Sequence, residues 1–235
     1  MSVVFNVRSL ALTLAAISMA AVTGCAPSDK QIAAWVEKNP EAIIKALQGF
    51  QRKQQEENQP KPEMVKQYAK ELFENPGSPT VGEGKVKIAY FFDFNCGHCT
   101  KQGQVINDVL KNSKDVTIIY KNFPILAPSS ETAAKAALAA NLQGPGKYKA
   151  FYDELYKNEK KDDATFEKIA KTLKLDMAKW KADINGAAVK AELDHVRDLA
   201  TKMKISGTPL IAIAPDKIFP GRVDQLMEIV QASLK

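Results

Sequence analysis

The chain has 235 residues, 45% of them apolar and 26% charged, the balance of a folded globular protein rather than of a disordered or collagen-like one. Against 27 Asp and Glu stand 33 Lys and Arg, a formal charge of +6 without a dense basic run, which argues against nucleic acid as a partner. Three cysteines are too few for a disulfide scaffold, and their odd number needs an explanation.

Residues 1–24 read as a targeting segment outside the fold. Arg8 is their only charged side chain, and Leu10 to Val22 is a short apolar run followed by small residues. A spanning helix needs roughly 20 apolar residues, so the run reads as a secretory signal rather than a membrane anchor. Val22-Thr23-Gly24-Cys25 resembles a bacterial lipobox. That resemblance implies a lipoprotein signal peptide, cleavage before Cys25 and lipidation of Cys25. It also implies a periplasmic location, with Ala26 at the next position favouring the outer membrane. Acyl chains hold a protein at a membrane at about 0.8 kcal/mol per buried CH₂. Disulfides persist in the periplasm, and with Cys25 consumed by lipid one pair is left, Cys96 and Cys99.

Ser28-Asp29-Lys30-Gln31 has capping-box spacing and starts a helix carrying Ala33, Trp35 and Val36. Asn39-Pro40 starts a second, with Pro at its first helical position. Ile43, Ile44, Leu47 and Phe50 form a narrow stripe on it and the residues from Gln51 to Gln59 are polar, a pattern suited to a helix-to-helix seam. After Gln59-Pro60-Lys61-Pro62 a third helix carries Val65, Tyr68, Leu72 and Phe73 on one side. Asn75-Pro76-Gly77-Ser78-Pro79 is a breaker cluster. Residues 25–79 are therefore expected to be an all-helical, self-associating extension, and residues 80–235 the domain that carries the chemistry.

Val86 to Phe94 is an apolar, aromatic-rich run that reads as a buried strand. Asn95-Cys96-Gly97-His98-Cys99 follows at once, and then Val105, Ile106, Val109 and Leu110 at helical spacing. The pair thus lies at a strand-to-helix junction with Cys96 at the helix N-terminus. Unpaired N–H groups and the helix dipole there favour the thiolate, which is the reactive form of cysteine. Cys99, one turn further on, is placed to resolve a mixed disulfide at Cys96. His98, as a cation or a hydrogen-bond donor, stabilises the same thiolate. Structural zinc needs four ligands, and only Cys96, Cys99, His98 and the distant His195 remain. Covalent haem requires His at position 100, which is Thr. No metal or other cofactor is expected. A static disulfide at this spacing closes a loop too small to gain much chain entropy.

Val116 to Tyr120 reads as a second strand, ended by Lys121-Asn122-Phe123-Pro124. A helical stretch follows from about 129 to 203, capped first by Ser129 or Ser130 and broken at Gly144-Pro145-Gly146. Its apolar stripes, from Phe151 and Leu155 to Val189, Leu193, Val196 and Ala200, read as core, and His195 lies off the last of them as a surface residue. Ile205-Ser206-Gly207-Thr208-Pro209 leads into a strand from Leu210 to Ala214, a short strand at 217–219 and a closing helix with Leu226, Ile229, Val230 and Leu234.

Strand, Cys-Gly-His-Cys helix, strand, helical block, Gly-Thr-Pro, strand, short strand, helix: in this order the chain resembles the DsbA/DsbC family of periplasmic thioredoxin-fold disulfide oxidoreductases over about residues 80–235. The resemblance implies an α/β thioredoxin fold with a helical insertion, a cis Pro209 next to the pair, and a Thr208 backbone that offers an edge to an extended substrate. It implies thiol–disulfide exchange by Cys96, Cys99 and His98 on unfolded or misoxidised exported proteins, with a DsbB-like or DsbD-like membrane redox partner. The extension resembles that of dimeric or trimeric members, so a homo-oligomer is expected, a dimer first. Tyr90 stands six residues before Cys96, where thioredoxins and DsbA proteins have a buried acid, and Asp93 stands three before it, as in isomerase-like members. Gly-His is the dipeptide of protein disulfide isomerase rather than the Pro-His of DsbA. Oxidase and isomerase roles both stay open. The alternative is a non-enzymatic surface lipoprotein that uses the fold as a binding module.

Overall fold

The computed structural model describes residues 27–234, so the expected signal peptide and Cys25 lie outside the described residues. The chain forms two compact units, one up to Gln54 and one from Gln55. The first takes in α1 (Asp29–Lys38) and most of α2 (Pro40–Glu57). Its capping box forms as the spacing predicts: the Gln31 amide donates to Ser28 Oγ (3.4 Å) and the Ser28 amide to Gln31 Oε1 (2.9 Å). Ile32, Trp35 and Val36 on α1 and Ile44, Leu47 and Phe50 on α2 are all exposed, Phe50 at 62%.

The second unit opens with α3 (Pro62–Gln67) and α4 (Ala69–Phe73), where the sequence pattern predicts one helix. Val65 and Leu72 have no exposed surface and pack with Phe91, Ile119 and Leu210. The break at Asn75–Pro79 is therefore not where this unit begins, and the all-helical extension is shorter than the expected 25–79. The apolar side of residues 65–73 packs on the sheet rather than forming part of a self-associating extension.

The sheet has five strands in the order β1 (Thr80–Val81), β3 (Val116–Asn122), β2 (Val86–Phe92), β4 (Leu210–Ile213) and β5 (Lys217–Pro220). β2 and β3 run parallel and the other pairings are antiparallel. β2 is buried on both faces, which is why it reads as an unbroken apolar run rather than an alternation. Ile88, Tyr90 and Phe92 pack with α5 (Gly97–Asn112), the crossover between β2 and β3, while Ala89 and Phe91 face the cluster that holds Val65 and Leu72.

Between β3 and β4 lies the insertion: α6 (Pro128–Asn141), α7 (Lys147–Lys157), α8 (Asp163–Thr172), α9 (Met177–Ile184) and α10 (Ala187–Lys202). Ala127 and Pro128 start α6, in place of the serine cap. Its buried face is almost all alanine, which brings the neighbouring helices close enough for Trp180 Nε1 to donate to the Ala136 carbonyl at 3.0 Å. Asp162 and Asp176 cap α8 and α9 through the amides of Thr165 and Lys179. α11 (Leu226–Ser233) closes the chain against α5.

Candidate active site

β2 ends at Phe92, the chain turns through Asp93-Phe94-Asn95, and Cys96 becomes the N-cap of α5 with an extended backbone. In that position Cys96 Sγ accepts the Cys99 amide at 3.4 Å, one of the N–H groups that a helix start leaves without an intrahelical partner. The same thiol donates to the Thr208 carbonyl at 3.4 Å. Both cysteines are free thiols, Cys96 with a sliver of exposed surface and Cys99 with none. Burial pushes the Cys99 thiol up to about 12. The Thr208–Pro209 bond is cis, and Thr208 Oγ1 is buried without a partner. The structure thus joins Cys96, Cys99 and the Thr208-Pro209 turn, across 112 residues of sequence. His98, in the first turn of α5, is exposed.

Tyr90, at the position of the buried acid, donates its hydroxyl to the Cys99 carbonyl at 3.0 Å. It holds the Cys99 backbone, and burial pushes its own ionisation well above the usual tyrosine range. Below it lies a layer of rings. Tyr152 is at its centre, with centroids 5.2 Å from Phe92, 5.0 Å from Tyr120 and 4.7 Å from Tyr156. This slab keeps water from the inner side of the thiol pair.

Three buried polar residues lie near the pair. Asp93, 1% exposed, accepts the Asn95 amide on Oδ1 (2.8 Å) and the Ile125 and Leu126 amides on Oδ2 (2.8 and 3.0 Å). Ser130, fully buried, accepts from Asn95 Nδ2 at 2.8 Å. Gln102 on α5 pairs with both backbone groups of Val223, accepting its amide (2.7 Å) and donating to its carbonyl (3.3 Å). Asp93 stands out by its place three residues before Cys96 and Ser130 only as a helix cap; Gln102 gives no signal.

A second polar cluster lies on the opposite face of the sheet. Lys121 on β3, fully buried, donates to the Glu71 carbonyl (2.6 Å) and Ser78 Oγ (2.8 Å). Ser78 Oγ and Asn75 Nδ2 hold the two oxygens of buried Glu192 at 2.7 and 2.6 Å. Burial pulls the Lys121 ammonium down to about 8 and raises the Glu192 carboxyl. His195 is half-buried rather than on the surface, its Nε2 lying 3.3 Å from the Glu71 carbonyl. Among the described residues no three His, Cys, Asp or Glu side chains gather as a metal site.

Residues 87–231 match the family described as DSBA-like thioredoxin domain. A "Probable disulfide bond formation protein D" of Bacillus cereus is 28% identical over 167 residues, covering 65% of this chain and 76% of that protein. A thioredoxin-like oxidoreductase from Silicibacter pomeroyi superposes with a TM-score of 0.64 at 30% identity, covering 70% of this chain and 96% of that one. The catalytic domain of Proteus mirabilis ScsC gives 0.66 at 27%, covering 74% and 98%. Since the match takes in more than half of the sequence, and with it the strand, the thiol pair and the insertion described above, this chain belongs to the DSBA-like thioredoxin domain family of thiol–disulfide oxidoreductases.

Proposed function

We propose that this protein exchanges disulfides with exported proteins through Cys96 and Cys99, as a lipid-anchored oxidase or isomerase of the periplasm. One observation carries the catalytic part: Cys96 Sγ sits at the helix start, 3.4 Å from both the Cys99 amide and the Thr208 carbonyl. In the oxidising direction a client thiolate attacks Cys96 Sγ of the Cys96–Cys99 disulfide. The bond between the two cysteines breaks and Cys99 leaves with the electron pair and takes a proton. A second client thiolate then attacks the client sulfur of the mixed disulfide, and Cys96 leaves. The client loses two electrons and the enzyme gains them, to pass on to a DsbB-like membrane partner. Isomerisation starts instead from the Cys96 thiolate attacking a client disulfide, with a DsbD-like partner keeping the pair reduced. Thr208 and cis Pro209 offer backbone to the client, and exposed His98 tunes the thiolate.

Lipidation at Cys25 and a place at the outer membrane rest on the lipobox resemblance. The exposed apolar stripes of α1 and α2 support self-association. Trapping thiols in living cells with an alkylating agent reads the resting state of the pair. Mostly disulfide supports the oxidase, mostly dithiol the isomerase. Full cellular function in the Cys96→Ser, Cys99→Ser double variant would mean a binding module rather than an enzyme.

A further inference from the structure

We propose that Asp93 is a positioning residue for exchange at Cys96, holding the thiol turn against the loop at Ile125-Leu126; the proposal rests on the reading of Cys96 as the attacking thiol. Asp93 lies three residues before Cys96 and is 1% exposed. Its carboxylate takes its hydrogen bonds from backbone amides in two separate segments, Asn95 on one oxygen and Ile125 and Leu126 on the other, all at 2.8–3.0 Å. Its carbonyl accepts the Cys96 amide at 3.1 Å and the Tyr156 hydroxyl at 3.3 Å. One residue thus joins the turn before the thiol, the loop after β3 and helix α7. Asn95 repeats the tie, donating from Nδ2 to Ser129 Oγ (2.9 Å) and Ser130 Oγ (2.8 Å).

The choice of an acid is informative. Only a carboxylate accepts on both oxygens; an amide of the same shape presents one acceptor and turns N–H₂ toward amide donors. The turn it fixes is the frame for Cys96 Sγ, whose partners are the Cys99 amide and the Thr208 carbonyl. Loosening the turn takes the sulfur off the helix start, and the thiolate loses stabilisation. Loss of a nearby negative charge acts in the opposite sense, because a thiolate is easier to form without it. The direction of the change therefore separates positioning from charge.

The experiment follows the rate of Cys96 alkylation against pH in the reduced full-length protein, with the equilibrium against glutathione as a second readout. Asp93→Asn is expected to move the midpoint of the profile upward by roughly 0.5–1 pH unit, slowing alkylation at neutral pH roughly three- to tenfold. The glutathione equilibrium should shift by a similar factor toward the disulfide form. Phe166→Leu, in the insertion, matches a general loss of stability and should leave the midpoint in place. A folded Asp93→Asn variant with an unmoved or lowered midpoint overturns the proposal. If Asp93→Asn does not fold, Asn95→Ala decides: an upward shift supports the clamp and an unmoved midpoint overturns it. Should Cys96→Ser keep exchange activity, the reading of Cys96 itself fails, whatever Asp93 does.

Discussion

At the scale of residues, the two thiols are chemically unequal. Cys99, without exposed surface and pushed up to about 12 by burial, is ionised to roughly one part in 10⁵ at pH 7. Of the Cys96–Cys99 pair, iodoacetamide is therefore expected to modify only Cys96 in the reduced native protein, with Cys99 reacting only after unfolding; mass spectrometry of the digested adduct checks this. The same shift links stability to pH. A thiol whose folded value is raised from 9.0 to about 12 adds stability below pH 9 that is lost as pH climbs through 12. The dithiol form should lose on the order of a few kcal/mol over that range relative to the disulfide form, which has no thiol to titrate. Urea denaturation of both forms at pH 8 and 10.5 measures the difference, and equal slopes would count against it. The Cys96–Cys99 pair stands out because its spacing at a strand-to-helix junction is a local signal, whereas Thr208 and Pro209 are singled out by the family resemblance. The long-range ties of Asp93 and Gln102 are not legible, because those partners are backbone groups 32 to 121 residues away, and no side-chain pattern records a backbone group.

At the scale of elements, the Asn75–Pro79 loop shows how a correct local reading leads to a wrong boundary. It does break the helix, but Asn75 and Ser78 reach Glu192 on α10, and Ser78 also takes Lys121 from β3. The loop is a strap between helix and sheet, not a hinge between domains. Lys121 and Glu192 balance each other through Ser78, so removing one leaves the other charged and buried. Lys121→Met alone is expected to cost roughly 3 kcal/mol, and adding Glu192→Gln to recover most of that loss. A double-mutant cycle by urea unfolding tests it, and additive losses would argue that the two do not couple. A lysine in a strand followed by Asn-Phe-Pro reads from sequence as a strand end. Its burial is set by α4 and α10, which the local pattern does not report.

At the scale of the whole molecule, the order of strands and helices was readable because β2, β3 and β4 are continuous apolar runs and the insertion keeps helical periodicity. The pairing was less so: β1 is two residues long, and its place beside β3 comes from register, not composition. The first unit raises a different question. Six large apolar side chains on two helices stand exposed, more than scattered surface residues explain. The chain from Ala26 onward is expected to elute as a dimer or larger assembly at micromolar concentration. Trp35→Glu with Phe50→Glu should give a folded monomer. Light scattering decides, and a monomeric parent chain would overturn the proposed self-association.

The thiol donated by Cys96 and the carbonyl of Thr208 that receives it are separated by 112 residues, with the whole insertion between them. A polypeptide delivered across a membrane from its N-terminus presents both cysteines to the oxidising compartment long before Thr208 arrives. For that interval they are side chains of an unfinished chain, with neither the aromatic floor nor the proline turn around them. They are then open to pairing with any thiol in reach, so that under the function proposed above an unfinished copy of this chain is itself a candidate client.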